Sequence, residues 1–260
     1  MRIIVLTSST YGTASRVLPA LRKNTEIDIA KVILAEGLSP DRKKTLKRKV
    51  KKIFRIGLLG AINGIRMREW YSDKDSEDLE LLCNTLGLKL EKTPFINCET
   101  TRQLFRDADA DLGLSLGNGY IPEGIFAIPK HGMLNLHSEI LPQFRGAQSV
   151  IWPIYEGVEH TGFTIYQIDN GIDTGVILYQ KRYPIDFHAT IRGTIVNNVC
   201  KARELIPDAF SYVCTNYEAL RTKATPQEGG QSYTTPSIWQ FIRMARSNSR
   251  IYRMHALRGH

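Results

Sequence analysis

Apolar and polar positions along the chain repeat first at the period of a strand and then at that of a helix. Residues 2–7 read as a buried strand, and Thr7 to Thr13 as a polar turn. Val17, Leu18 and Leu21 place one apolar face on the helix that follows, and Asp28 to Ala35 is a second strand. This strand–turn–helix–strand order begins a doubly wound α/β sheet. The pattern then changes. Leu46, Val50, Ile53, Phe54 and Leu58 recur at three- and four-residue steps among cations, predicting a helix that Gly57, Gly60 and Gly64 weaken at its end.

After Trp70-Tyr71 the sheet pattern resumes. Helices are expected at Glu77 to Leu86 and Cys98 to Phe105, with a short strand after Gly87. Asp111 to Leu116 is a buried strand ending at Gly117-Asn118-Gly119, and Gly132 to His137 is the next. Ser149 to Tyr155 reads as a helix, and Thr161 to Ile168 and Val176 to Arg182 as two strands. From Thr190 to Ala219 the period is helical, with Pro207 inside. Residues 220–260 are polar and basic, with turns marked at Gly229-Gly230 and Pro236. The expectation is a Rossmann-like doubly wound catalytic domain over 1–185, carrying a basic helical insert over 39–72. A smaller helical and irregular C-terminal extension follows over 186–260.

Composition narrows the class. The chain has 260 residues, 42% of them hydrophobic, enough for a packed core. Four cysteines without CxxC or metal-ligand spacing read as reduced thiols of a cytoplasmic protein. The start resembles a strand rather than a signal peptide. The net charge of +9 is concentrated: Arg42 to Arg68 holds eleven Lys and Arg and no Asp or Glu. A near-neutral globule with one basic insert argues for a local anionic partner and against a general nucleic-acid surface.

The candidate chemistry lies between residues 131 and 175. Asn135 and His137, two apart on a strand, project to one side of it. Asp173 follows in a loop, before Thr174-Gly175. An amide N–H can stabilise an oxyanion, an imidazole can move a proton near neutral pH, and a carboxylate can hold the imidazole's tautomer. Taken singly, each is more often a structural strand or turn residue. The remaining histidines have no spacing that suits a metal.

Together with Leu141-Pro142 and Arg145-Gly146, the stretch from about Leu112 to Lys181 resembles the formyltransferases that use 10-formyltetrahydrofolate. The resemblance implies that Asn135, His137 and Asp173 are catalytic. It implies a folate pocket formed by Asn118, Gly119, Tyr120 and Ile121, by Leu141, and by Ile168, Asp169, Asn170, Gly171 and Ile172. The co-substrate is then 10-formyltetrahydrofolate, with no metal.

Family resemblance leaves the acceptor amine open. Only about 75 residues follow Tyr183, the first part of them helical, which is short for the C-terminal barrel of methionyl-tRNA enzymes, and glycinamide-ribonucleotide enzymes lack the basic insert. The chain is most similar to enzymes that formylate nucleotide-linked amino sugars, of the GDP-perosamine type, in surface polysaccharide (O-antigen) synthesis. A formyltetrahydrofolate hydrolase is a further alternative. Ser9, Thr10, Tyr11 and Gly12, at a helix N-terminus, and Arg145 are candidate acceptor contacts. The insert suits a diphosphate-bearing acceptor, a peripheral contact with an anionic membrane, or a solvated helix face. The oligomeric state is open, a homodimer included.

Overall fold

The computed structural model describes residues 1–37, 42–146 and 148–258, and of residues 42–49, 52 and 258 only the backbone. Residues 39–41 of the expected insert therefore lie outside the described residues, as do the side chains of Lys47 and Arg48.

The elements run β1 (Arg2–Thr7), α1 (Thr13–Lys23), β2 (Asp28–Ala35), α2 (Arg42–Arg68), α3 (Leu79–Leu86), β3 (Leu90–Thr93), α4 (Glu99–Ala108), β4 (Leu112–Ser115), α5 (Glu123–Phe126) and β5 (Met133–His137). They continue with β6 (Phe144–Arg145), α6 (Ile151–Glu156), β7 (His160–Gln167), β8 (Ile177–Pro184), α7 (Ile191–Thr215), α8 (Tyr217–Thr222), β9 (Gln231–Ser232) and α9 (Ile238–Arg258). The main sheet has seven strands in the order β3-β2-β1-β4-β5-β7-β8. It is parallel from β3 to β5, and β7 and β8 join antiparallel.

Alternation along β1 shows how the sheet is covered on both faces. Ile3 and Val5 pack against Val17, Leu18 and Leu21 of α1 and Phe210 of α7. Ile4 and Leu6 face the other way, against Phe105 of α4 and Ile125 of α5. Successive strand residues point to opposite faces, so an apolar run such as Ile3 to Leu6 requires a layer on each side. A third cluster joins Met67, Trp70, Trp152, Phe241 and Met244, seating α9 on α6 and on the end of α2.

Two details depart from the sequence expectation. The region after residue 220 contains a long helix, α9, whose buried Phe241, Met244 and Ile251 recur at helical spacing among cations. In α2 only Gly57 breaks the helix, with φ 74° and ψ 163°. Gly60 and Gly64 instead let the helix lie close to its neighbour: a Cβ at Gly60 would stand 3.1 Å from Ser237 Cα, and one at Gly64 2.6 Å from Thr235 Cγ2.

The strand order reverses direction between β1 and β4. In open α/β sheets ligands bind beyond the carboxyl ends of the strands at such a switch point. The loops leaving β1 and β4 begin at Ser8 and Leu116, and His137 is the last residue of β5.

Candidate active site

Asn135 and His137 stand on β5, opposite Tyr166 and Thr164 of antiparallel β7. That register sets Asn135 directly against Tyr166, and the amide Nδ2 donates to the phenol at 2.8 Å. The phenol in turn donates to Asp173 Oδ1 at 2.7 Å. Burial, and after it the charge of Asp173, pushes the Tyr166 pKa far above its ordinary value. Tyr166 therefore remains a neutral donor, tying the amide to the carboxylate.

Asp173 Oδ2 accepts from the Gly146 backbone N–H at 2.9 Å and stands 3.5 Å from His137 Nδ1. Asp173 itself has φ 55°, a left-handed conformation that Asp tolerates better than most residues. On the far side of the ring, His137 Nε2 lies 2.6 Å from the Phe144 carbonyl. A carbonyl only accepts, so Nε2 carries the hydrogen and Nδ1 is the nitrogen that can take a proton beside Asp173. His137 is buried and lines neither adjoining cavity among the described residues; the group facing the smaller cavity is Asp173.

That cavity measures about 260 Å³. It is lined by Asn118, Gly119, Tyr120, Ile121, Ile168, Asp169, Gly171 and Ile172, and closed by Asn135, Tyr166 and Asp173. Two of the expected folate contacts lie elsewhere. Leu141 is buried, its carbonyl accepting from Gln180, and Asn170 is exposed beside Glu123. Asn118 secures the mouth, donating to the Leu6 carbonyl at 2.6 Å and to Ser115 Oγ at 3.1 Å.

A larger cavity of about 650 Å³ opens on the other side of β5, where Leu136 and Ser138 reach its wall. Ser9, Tyr11, Gly12 and Thr13 line it at the N-terminus of α1, which has no side-chain cap. Uncapped N–H groups there favour an anion. Thr10 is not part of the lining; its carbonyl accepts from Leu79 N–H. Arg145 is also elsewhere, its guanidinium on Gln227 Oε1 at 3.1 and 3.2 Å. Opposite the turn are Asp73, Lys74 and Arg203. Asp73 is held by Arg16 at 2.6 Å and faces Arg203 at 3.5 Å, while among the described residues no ion pair engages Lys74. Arg203 also donates to the Tyr71 and Ser72 carbonyls, fixing this wall. No described residue of α2 lines the cavity.

Beneath the site lies Glu139, fully buried. It accepts from Val150 N–H at 2.5 Å, Thr161 Oγ1 at 2.6 Å and Ile140 N–H at 3.2 Å. It ties the chain after His137 to the start of α6, where Val150 has φ 69°. Burial pushes its pKa up from 4.5 to about 7, against the pull of those donors.

Known proteins can now be set beside this geometry. Residues 103–207 match the formyl transferase family. The matched segment includes Asn135, His137, Tyr166 and Asp173. Methionyl-tRNA formyltransferase of Deinococcus radiodurans is 42% identical over 103 residues, covering 38% of this chain and 32% of that protein. The enzyme of the same name from Thermodesulfovibrio yellowstonii is 47% identical over 66 residues, 25% of this chain and 21% of that one. The similarity thus spans a third or less of these two relatives' lengths. In structure, phosphoribosylglycinamide formyltransferase of Bacillus halodurans aligns with TM-score 0.56 at 15% identity, over 85% of this chain and 98% of that one. The protein of that name from Anaplasma phagocytophilum gives 0.55 at 16% identity, over 83% and 88%. At these identities the likeness establishes the formyltransferase Rossmann-like fold.

Sequence reasoning missed Tyr166, Glu139 and the Asp73–Arg203 wall. Tyr166 was discoverable: pairing the two strands in antiparallel register sets a tyrosine opposite Asn135.

Tyr166→Phe removes both bonds of the bridge and is expected to lower kcat of the formyl transfer proposed below by roughly 10–100-fold. Melting temperature should stay near wild type; an unchanged kcat would contradict the role. Glu139 makes a second test. The folded protein keeps its proton up to about pH 7, so its contribution to stability is full below pH 4.5 and is lost as pH rises through about 7. The span corresponds to about 3 kcal/mol. Melting temperatures of Glu139→Gln should show a flatter decline over that window than wild type, and parallel profiles would refute the assignment.

Proposed function

We propose that this chain transfers a formyl group from 10-formyltetrahydrofolate to the amine of a nucleotide-linked amino sugar. One observation carries the reading: the Asn135–Tyr166–Asp173–His137 chain lies between a small slot with apolar walls and a larger cavity with a cationic wall.

The slot fits a flat folate ring. Ile121, Ile168 and Ile172 supply walls, and Gly119 and Gly171 let backbone approach its edge. The bound co-substrate would supply the formyl carbon. The acceptor nitrogen, neutral, attacks that carbon to form the new C–N bond. Asn135 has a second N–H, beyond the one given to Tyr166, with which to meet the oxyanion. The acceptor nitrogen loses a proton and the departing folate nitrogen gains one as its bond to carbon breaks. Asp173 faces the slot and His137 Nδ1 stands behind it, so the pair can hold the proton in transit. No protein nucleophile is needed, because the acceptor provides it.

The acceptor class rests on the larger cavity. The Gly12 N–H is already given to Ser76 Oγ, but the Thr13 backbone N–H, with Lys74 and Arg203, suits a diphosphate, and about 650 Å³ accommodates a sugar beyond it. Surface-polysaccharide synthesis is the setting in which such an acceptor would be used. A second acceptor, methionyl-tRNA, is favoured by the names of the sequence relatives.

Purified protein with 10-formyltetrahydrofolate and a panel of nucleotide-linked amino sugars, glycinamide ribonucleotide and methionyl-tRNA should add one formyl mass to an amino-sugar nucleotide. Preferred formylation of methionyl-tRNA, or formate release without acceptor, would contradict the proposal. His137→Ala and Asp173→Ala should each lower kcat by roughly 10²–10⁴. Lys74→Ala should raise the acceptor KM about tenfold, the scale of one charge-assisted hydrogen bond.

A further inference from the structure

No described residue of helix α2 lines either cavity, yet the helix carries most of the molecule's charge imbalance. Nine of its eleven cations precede the break at Gly57, and its sequence contains no Asp or Glu. Beyond the break, Gly60, Gly64 and Met67, spaced i, i+4, i+7, form the face that lies on residues 235–238 and the third core cluster. Leu58, Ile62 and Ile65 repeat the same spacing two residues out of phase, which puts them on the opposite side of the helix. Among the described residues nothing covers that side: Leu58, Leu59, Ile62 and Ile65 are 57–69% exposed, and Phe54, before the break, is 86% exposed. A soluble helix normally turns cations and polar groups outward there.

We infer that α2 is an interfacial anchor that lays its aliphatic face into an anionic lipid bilayer. Charge and apolarity together select this occupant. A second copy of the chain would bring two strongly basic helices together, and nucleic acid would use the cations but leave the aliphatic face exposed. A bilayer with acidic headgroups satisfies both: acyl chains take the leucines and isoleucines, and headgroups take the lysines and arginines. No helix of the described residues is long and apolar enough to cross a membrane, so the contact lies in the interface plane.

The test is sedimentation of the full-length chain with vesicles, without substrate, so its result is independent of the proposed reaction. With vesicles of equal parts phosphatidylglycerol and phosphatidylcholine the protein should pellet; with phosphatidylcholine alone it should remain in solution, and added salt should weaken the binding. Leu58→Glu, Ile62→Glu and Ile65→Glu together, all at exposed positions, should keep the circular dichroism spectrum and reduce the bound fraction at least about tenfold. Absence of binding to the anionic vesicles, or equal binding by the triple variant, would overturn the inference. So would a dimer by light scattering that the triple variant splits, since the face would then belong to a second copy.

Discussion

Asn135 and Asp173 are far apart in sequence and lie on different elements, and one phenol holds them together. Tyr166 accepts from the amide and donates to the carboxylate. The bridge forms only because β7 runs antiparallel to β5 with Asn135 opposite Tyr166. A slip of one residue would turn Tyr166 to the other face of the sheet. The pairing register is thus the constraint on which the site depends. Asp173, with its left-handed backbone, and the Gly146 N–H then complete the carboxylate's partners.

The rest of the fold delivers material to that point. The parallel strands β1 and β4 end at a switch point where two loops diverge: the first lines the larger cavity, and the second lines the smaller one while its Gly117 reaches the larger. In the proposed reaction, donor and acceptor would approach β5 from opposite sides. Glu139 anchors the segment after His137 from below, with three donors around a carboxylate that burial makes costly to ionise. His137 in turn is clamped between Phe144 and Asp173, which suits a ring that holds a proton without moving.

Much of this was legible in the residues, for identifiable reasons. The buried strands and α1 were clear because their apolar periods are unbroken, and the slot was outlined by Asn118 to Ile121 and by Ile168, Asp169, Gly171 and Ile172. Helix α9 was hidden because arginines separate its buried residues, so the segment reads as polar. The glycines of α2 looked like helix-breakers, but the role of Gly60 and Gly64 depends on a neighbour some 175 residues away, which no local period reveals. Tyr166 read as an ordinary strand aromatic until its cross-strand partner was known. Arg145, attractive beside Gly146, has its charge directed to Gln227, a long-range contact that sequence spacing could not show.

The central claim is that Asn135, Tyr166 and Asp173 act as one hydrogen-bonded unit. Single-turnover rates of formyl transfer for Asn135→Ala, Tyr166→Phe and the double variant measure it most directly. If they form one unit, the double variant loses little more than the worse single variant, a coupling of about 1–3 kcal/mol. Strictly multiplicative losses would mean that the residues act independently, and would contradict the account.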